Sequence, residues 1–326
     1  MTITAEHVKA LVRRHMDGDD EGFYSVALQL AARAAREGKN HFAQELRDLV
    51  ESAKSPRAAT QLRPVPMAQP RGELAGLMSV SYPEVSLVQM TLGADVSAKL
   101  RRVLAEEHQR DRLEQHGLRP AHRLLLLGPP GTGKSMSAAA LARELSVPLF
   151  TIQLDGLMSK YMGETASKLR LVFDAVAATR AVYLFDEFDA LGGDRSAGND
   201  VGEARRVLNS FLQFLEHASP TSVVVAATNH PDLLDRALYR RFDQVIEYGL
   251  PDQEGAIQVL RNRLTLMDTS KVNWVSVGSN AGELAHAELV RAAEAAAKHA
   301  LLSGRTGLTT ASLLTALRER RRHADG

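Results

Sequence analysis

Along the chain, the spacing of apolar positions changes twice. Up to about Ala53 they recur at three- and four-residue intervals: Val8, Leu11 and Val12, then Phe23, Val26 and Leu30, then Phe42, Leu46, Leu49 and Val50. That period puts them on one face of a helix, and "DGDD" and "REGKN" supply caps and turns between short amphipathic helices. The stretch "SPRAATQLRPVPMAQPRG" then carries four prolines and no periodicity, the signature of a linker. From Arg123 short apolar runs alternate with helical patterns: "RLLLLG", "SMSAAALAREL", "PLFTIQL", "TASKLRLVFDAVAA", "AVYLF", "GEARRVLNSFLQFLEH", "SVVVAATN" and "QVIEYG". Strands that are apolar on both faces and alternate with helices predict a parallel α/β sheet. After Pro251 the pattern becomes wholly helical, with Ile257, Leu260 and Leu264, then Leu284, Leu289, Ala292 and Ala296, then Leu313, Leu314 and Leu317. The expected boundaries are 1–55 for an N-terminal helical module, 56–90 for a linker and connecting segment, 91–250 for the α/β part and 251–326 for a small helical part.

Composition changes this picture mainly by exclusion. The 326 residues carry 40 Lys+Arg against 39 Asp+Glu, a formal charge of +1, so no global field draws the chain to nucleic acid or an anionic membrane. There is no cysteine, which rules out thiol catalysis and cysteine metal sites. "MTITAEHVKALVRRHMDGDDEGF" has no apolar core of a signal peptide, and "RLLLLG" and "SVVVAAT" are too short to span a bilayer. The expectation is a soluble, cytoplasmic protein, and the Arg- and Ala-rich composition suggests a GC-rich bacterial genome. No H-E-x-x-H occurs, so no zinc protease motif accompanies the rest.

Chemistry enters with "LLLLGPPGTGKS". It matches G-x-x-x-x-G-K-[ST] at Gly128, Gly133, Lys134 and Ser135, directly after an apolar strand and before a helical pattern. In that context backbone N–H groups and a helix N-terminus cradle phosphate oxygens, Lys134 neutralises β/γ charge and Ser135 offers a hydroxyl to Mg²⁺. The strand in "AVYLFDEFDA" ends in Asp186 and Glu187. The first carboxylate suits the Mg²⁺ shell and the second suits orientation of an attacking water. Asp189 reads as a helix cap or a local salt-bridge partner. "SVVVAATN" ends in Asn229, an amide placed to sense the γ-phosphate or the water. No N-K-x-D guanine-reading motif occurs, so ATP is the expected nucleotide.

Taken in this order, from "RPAHRLLLLGPPGTGKS" to about Leu317, these motifs resemble the AAA ATPases, in particular the branch of protein unfoldases and of severing and membrane-remodelling enzymes. The resemblance implies a P-loop NTPase fold: a five-stranded parallel sheet with flanking helices, a small C-terminal helical lid domain and an N-terminal helical bundle. It implies ATP and Mg²⁺ as cofactors, with Pro130, Gly131, Thr132, Gly133, Lys134, Ser135, Met136 and His286 on the nucleotide, Ser135 and Asp186 on the metal, and Glu187 and Asn229 in catalysis. "LLDRALYRRFDQ" aligns Arg240 and Arg241 with the family's trans-acting arginines, although an intramolecular ion pair is the other reading of two adjacent arginines. Lys160, Tyr161, Met162, Gly163 and Glu164 match the K-[YFW]-hydrophobic-G-E loop that lines the family's central pore. "GGDRSAGNDVGE" reads either as a second pore loop or as a surface loop. The implied partners are further copies of the chain, in a hexameric ring, a polypeptide client and a separately encoded protease or effector; nucleic acid is not expected.

The sequence also departs from the family pattern. "GELAHAELVRAAEAAAKHAL" has Ala285 where the family carries a small hydroxyl residue, followed by His286, Ala287 and Glu288. Gly282, Ala285 and Ala287 are expected to permit close approach near the base, and no arginine stands out as a second sensor. Glu216-His217 replaces the family's D-G. The stretch from Gly93 to Asp95 is the expected backbone contact for adenine. Two functions fit: a protein-remodelling motor gripping its client with Tyr161 and Met162, or an ATP-dependent regulatory switch or nucleic-acid-associated ATPase that threads nothing. The basic C-terminus "RERRRH" fits the second reading if it meets phosphate, and fits neither if it only complements its own helix dipole.

Overall fold

Successive side chains of a strand point to opposite faces, so Leu124 to Leu127 can all be buried only in a sheet covered on both sides. In the computed structural model all four are buried. The structure describes residues 69–157, 164–191, 201–218, 220–234 and 236–324, with Ala31, Ala34 and Gln44 ahead of them. The chain divides into two compact units, Met1–Met67 and Ala68–Gly326. In the first, the three described residues are helical and the two alanines are buried; the rest of the expected helical module lies outside the described residues.

The sheet of the second unit contains β1 (Met78–Ser81), β2 (Arg123–Leu127), β3 (Leu149–Ile152), β4 (Val182–Phe185), β5 (Val223–Thr228) and β6 (Gln244–Glu247), in the order β1-β3-β4-β5-β2-β6. Strands β2 to β6 pair in parallel, as the apolar runs predict. The difference is β1, which adds a sixth, antiparallel edge strand on β3. It falls in the stretch assigned to the linker, where the half-exposed "MSVS" carries too little apolar signal to read as a strand.

One face of the sheet is covered by α1 (Ala94–His108) and α2 (Lys134–Glu144), the other by α3 (Glu164–Ala178) and α4 (Val201–Glu216). Leu124 and Leu126 pack with Leu100, Val103 and Leu141 on the first face. Leu125 and Leu127 join Val172, Phe173 and Phe211 on the second. Burial contributes about 2 kcal/mol for each such leucine. On the second face, Phe211 meets Phe185 at 5.0 Å and Phe188 at 4.7 Å between ring centroids. Phe188 follows Asp186 and Glu187 directly, so this cluster seats the turn that carries the two carboxylates.

Beyond Pro251, α5 (Gln253–Arg263), α6 (Trp274–Asn280), α7 (His286–Leu302) and α8 (Thr310–Ala324) bury a third core around Leu260, Val277, Leu289, Ala292 and Leu313. Asp252 starts α5 by accepting from the Gly255 N–H at 2.7 Å. Contrary to the wholly helical expectation, β7 (Asp268–Lys271) and β8 (Gly307–Thr309) form a two-stranded parallel sheet. "DTSK" and "GLT" are short and lack apolar alternation, so only their meeting in space reveals the pairing.

Candidate active site

The loop after β2 depends on glycine. Gly128 has φ 141°, and a Cβ on it would lie 2.2 Å from the Tyr248 carbonyl oxygen. Gly131 and Gly133 have φ 73° and 102°, left-handed conformations that side chains resist. The chain therefore wraps tightly from the C-terminal end of β2 into α2, for which Gly133 is the N-cap. Backbone N–H groups and the positive end of the helix collect at that turn.

Lys134 is only 6% exposed and folds back onto its own loop. Its Nζ donates to the carbonyls of Gly128 at 2.7 Å and Pro129 at 2.8 Å and to Oδ1 of Asn229 at 2.7 Å. These bonds use all three ammonium protons. Burial lowers its pKa from the ordinary lysine value, and the charges of Asp186 and Asp189 act against that shift. On the other side of the loop, Ser135 Oγ donates to Asp186 Oδ2 at 2.5 Å. A hydroxyl and a carboxylate brought together suit Mg²⁺, which takes one or two protein oxygens and completes its shell with phosphate and water. The donor set therefore fits that ion. Glu187 is exposed and has φ 51°, which is rare for a residue with a side chain.

These groups face one cavity of about 840 Å³, whose wall includes Met90, Leu92, Lys134, Asp186, Asn229 and His286. Its remaining wall comes partly from the C-terminal helices: Val259 of α5 and Val290 of α7. The start of α7 touches the phosphate loop, because the Ala287 N–H donates to the Gly131 carbonyl at 3.0 Å. A Cβ on Gly131 would lie 3.0 Å from that of Ala287 and 3.3 Å from that of Ala285. Close approach here thus needs small residues on both sides. Gly282, expected to share that role, has open space around it and is not part of the wall. The backbone near the cavity is Gln89 to Leu92, ahead of the expected Gly93 to Asp95. Gly93 instead caps α1, and Asp95 pairs with Lys99 at 2.9 Å.

His286 lies in the same wall. Burial pushes its pKa below the ordinary histidine value, against a hydrogen bond to the backbone of Thr91. That bond favours the charged ring, as donation to a carbonyl does, and Nδ1 is buried without a partner among the described residues.

A family model described as "ATPase family associated with various cellular activities (AAA)" matches residues 124–250. An AAA family ATPase of Sinorhizobium fredii, y4kL, itself described as uncharacterized, is 35% identical over 240 residues, 72% of this chain and 71% of that protein. The chain belongs to the AAA ATPase family. ATP-dependent zinc metalloprotease FtsH 4 of Sphaerobacter thermophilus is 36% identical over 196 residues, 57% of this chain and 30% of that protein. Proteasome-activating nucleotidase of Methanoregula boonei is 35% identical over 184 residues, 52% of this chain and 42% of that protein. This AAA ATPase thus matches less than half the length of the last two. Its fold is that of the FIGL-1 AAA domain, with a TM-score of 0.60, 24% identity, and coverage of 74% of this chain and 85% of that one.

Other motif residues of this AAA ATPase lie away from the cavity. In "RRFD", Phe242 is buried and meets Phe188 edge-on at 6.5 Å. Asp243 accepts from the Arg123 guanidinium and from the backbone N–H groups of His122 and Arg123 at 3.1 and 3.0 Å. Burial works against its charge, but these bonds outweigh it and hold the carboxyl below the ordinary aspartate pKa. Phe242 and Asp243 thereby fasten the segment while Arg240 and Arg241 stay exposed. Neither arginine lines the cavity of its own chain. Arg241 forms an ion pair with Glu216, the residue that stands where the family has D-G. Lys160 to Gly163 and residues 192–200 lie outside the described residues; Glu164 opens α3 and pairs with Lys168 at 3.2 Å.

Three features escaped the sequence. Arg263 and Arg291 both reach the cavity wall, although no second-sensor arginine was expected; each is ion-paired at 2.6 Å, with Glu294 and Glu288 respectively. The basic C-terminus serves its own chain: Arg321 donates to the carbonyls of Asn280 and Gly282 at the end of α6, and Arg320 stands 3.7 Å from Glu288. Asp189 neither caps a helix nor pairs with a cation among the described residues; it accepts a hydrogen bond from Thr228 at 2.6 Å. No local spacing marks any of these contacts. Among the described residues no helix is long and apolar enough to cross a membrane.

Proposed function

We propose that this AAA ATPase hydrolyses ATP in the cavity between the phosphate loop and the C-terminal helices and uses the energy to remodel a polypeptide drawn through the pore of a hexameric ring. The observation that carries the hydrolytic part is the convergence of Lys134, Ser135, Asp186, Glu187 and Asn229 on one cavity. Phosphate oxygens take the N–H groups of Gly131 to Ser135, and Lys134 exchanges its carbonyl partners for them. Ser135 and Asp186 hold Mg²⁺, which supplies charge neutralisation at the phosphates. Glu187 orients and polarises the attacking water, and Asn229, on the same cavity wall, senses the γ-phosphate or that water. Arg240, exposed and absent from its own cavity, reaches the phosphates of a neighbouring copy and stabilises the charge that develops there; Arg241 joins it only by leaving its ion pair with Glu216.

His286, a residue of the cavity wall, contacts the base in this reading.

Remodelling rests on "KYMG". An aromatic ring and a thioether give sequence-tolerant grip on an extended chain. Two relatives, a metalloprotease and a proteasome-activating nucleotidase, favour a polypeptide client by their names, and the second favours a separately encoded protease or effector. A nucleic-acid role is less favoured because Arg320 and Arg321 are engaged within the chain. The expected effect of Tyr161→Ala is at least about a tenfold drop in tagged client unfolded per ATP hydrolysed, since one ring removes most of the contact area. An unaltered ratio would remove the gripping role.

A further inference from the structure

Glu187 and Asn229 stand on different strands, and the sheet does not hold them together. Parallel pairing of β4 and β5 ends at Phe185 opposite Ala226. Beyond that point β5 runs on through Ala227 and Thr228, while the chain after β4 turns away through Asp186 and Glu187. Water orientation demands that the two side chains keep a fixed separation, which requires a link outside the ladder.

Thr228, directly before Asn229, is 1% exposed. Its hydroxyl donates to Asp189 Oδ1 at 2.6 Å, a short bond onto a carboxylate. The same oxygen accepts from the His230 N–H at 3.0 Å. One hydroxyl thus brackets Asn229, tying the residue before it to the residue after it. On the other strand, Asp189 lies two residues past Glu187, whose φ of 51° is disfavoured for a residue with a side chain and persists only if its surroundings impose it. The turn is closed by Ala190 N–H on the Glu187 carbonyl at 2.8 Å and by Glu187 N–H on Asp186 Oδ1 at 3.0 Å. Phe188, fully buried against Phe211, pins its middle.

We propose that Asp189 and Thr228 are positioning residues: their hydrogen bond holds Glu187 and Asn229 in register for hydrolysis, while neither touches the nucleotide. This rests on the reading of the cavity as an ATP-hydrolysing site. The carboxylate accepts, the hydroxyl donates, and both strand ends are locked to one point. Misplacement of a reacting group by about 1 Å costs on the order of a hundredfold in rate, whereas phosphate binding rests on the loop after β2, where the Gly128 and Pro129 carbonyls still hold Lys134 if Asn229 shifts.

The test is steady-state hydrolysis and ATP affinity of the full chain carrying Thr228→Val or Thr228→Ser. Valine keeps the shape and loses the hydroxyl; serine keeps the hydroxyl. The expected result is a kcat at least about tenfold lower for valine, with ATP Kd within about twofold of wild type, and recovery to within about threefold for serine. Wild-type kcat in the valine variant overturns the proposal, as does a serine variant as slow as the valine one, or a loss carried by Kd. If Thr228→Val does not fold, Asp189→Ala against Asp189→Asn decides, since asparagine retains the accepting oxygen: alanine slow with asparagine active supports the link, and equal rates overturn it. A wild-type chain that binds no ATP or leaves it intact sinks the underlying reading together with the link. A wild type that hydrolyses ATP while its variants fail these comparisons sinks the link alone.

Discussion

Replacing Lys134 with alanine weakens ATP binding at least about a hundredfold, because a buried cation hydrogen-bonded to phosphate contributes several kcal/mol in a partly desolvated loop. The lysine is 6% exposed, with its three protons on Gly128, Pro129 and Asn229, so its ammonium sits where little water competes with a phosphate oxygen. In the variant, two carbonyls and the Asn229 amide oxygen lose their donor, and the carboxylates of Asp186 and Asp189 lose a nearby positive charge. Arginine does not substitute, since its planar fork does not match a pocket shaped around a point donor. Titration with a fluorescent ATP analogue measures the effect. A Kd within about threefold of wild type contradicts the place given to Lys134.

Glu187→Gln lowers kcat by about a thousandfold while leaving ATP bound, the range associated with removal of a positioned general base. Glutamine has the same shape, so the turn with φ 51° is retained, with its closing bonds from the Ala190 N–H to the residue 187 carbonyl and from the residue 187 N–H to Asp186. What disappears is the charge that polarises water. In the proposed site Glu187 does not hold the phosphate loop and Ser135 and Asp186 would hold the metal, so binding is expected to survive while hydrolysis falls. Single-turnover hydrolysis and retention of ATP on gel filtration report the two halves separately. Ordinary turnover in this variant removes the carboxylate from the mechanism. A polypeptide captured on the ATP-bound variant would identify the client of the proposed ring.

The fold class was legible because it depends on local pattern. Apolar runs such as Leu124 to Leu127 are wholly buried only between two helical layers, and that is how they lie. The half-exposed β1 and the polar β7 and β8 were not legible, since each becomes a strand only through the partner it finds. The candidate site divides in the same way. Gly128, Gly131 and Gly133 announce themselves as a run of glycines beside Lys134 and Ser135, and Asp186, Glu187 and Asn229 stand at strand ends. Arg263 and Arg291 look like ordinary polar positions of helices until α5 and α7 bring them to the cavity.

The amino-acid sequence by itself determined the phosphate loop, the acidic strand end and the parallel α/β framework. Their physics is short-ranged: a glycine's permitted φ, a strand's alternation, and the few residues between Gly128 and Ser135. Only the tertiary structure decided that Asp189 meets Thr228 across 39 residues, that Asp243 meets His122 across 121, and that Arg241 pairs with Glu216. Each of these is a polar group whose burial or exposure, and hence whose partner, is set by where distant strands and helices come to rest. A charge or hydroxyl needs a partner once water is removed, and only the folded chain selects which one.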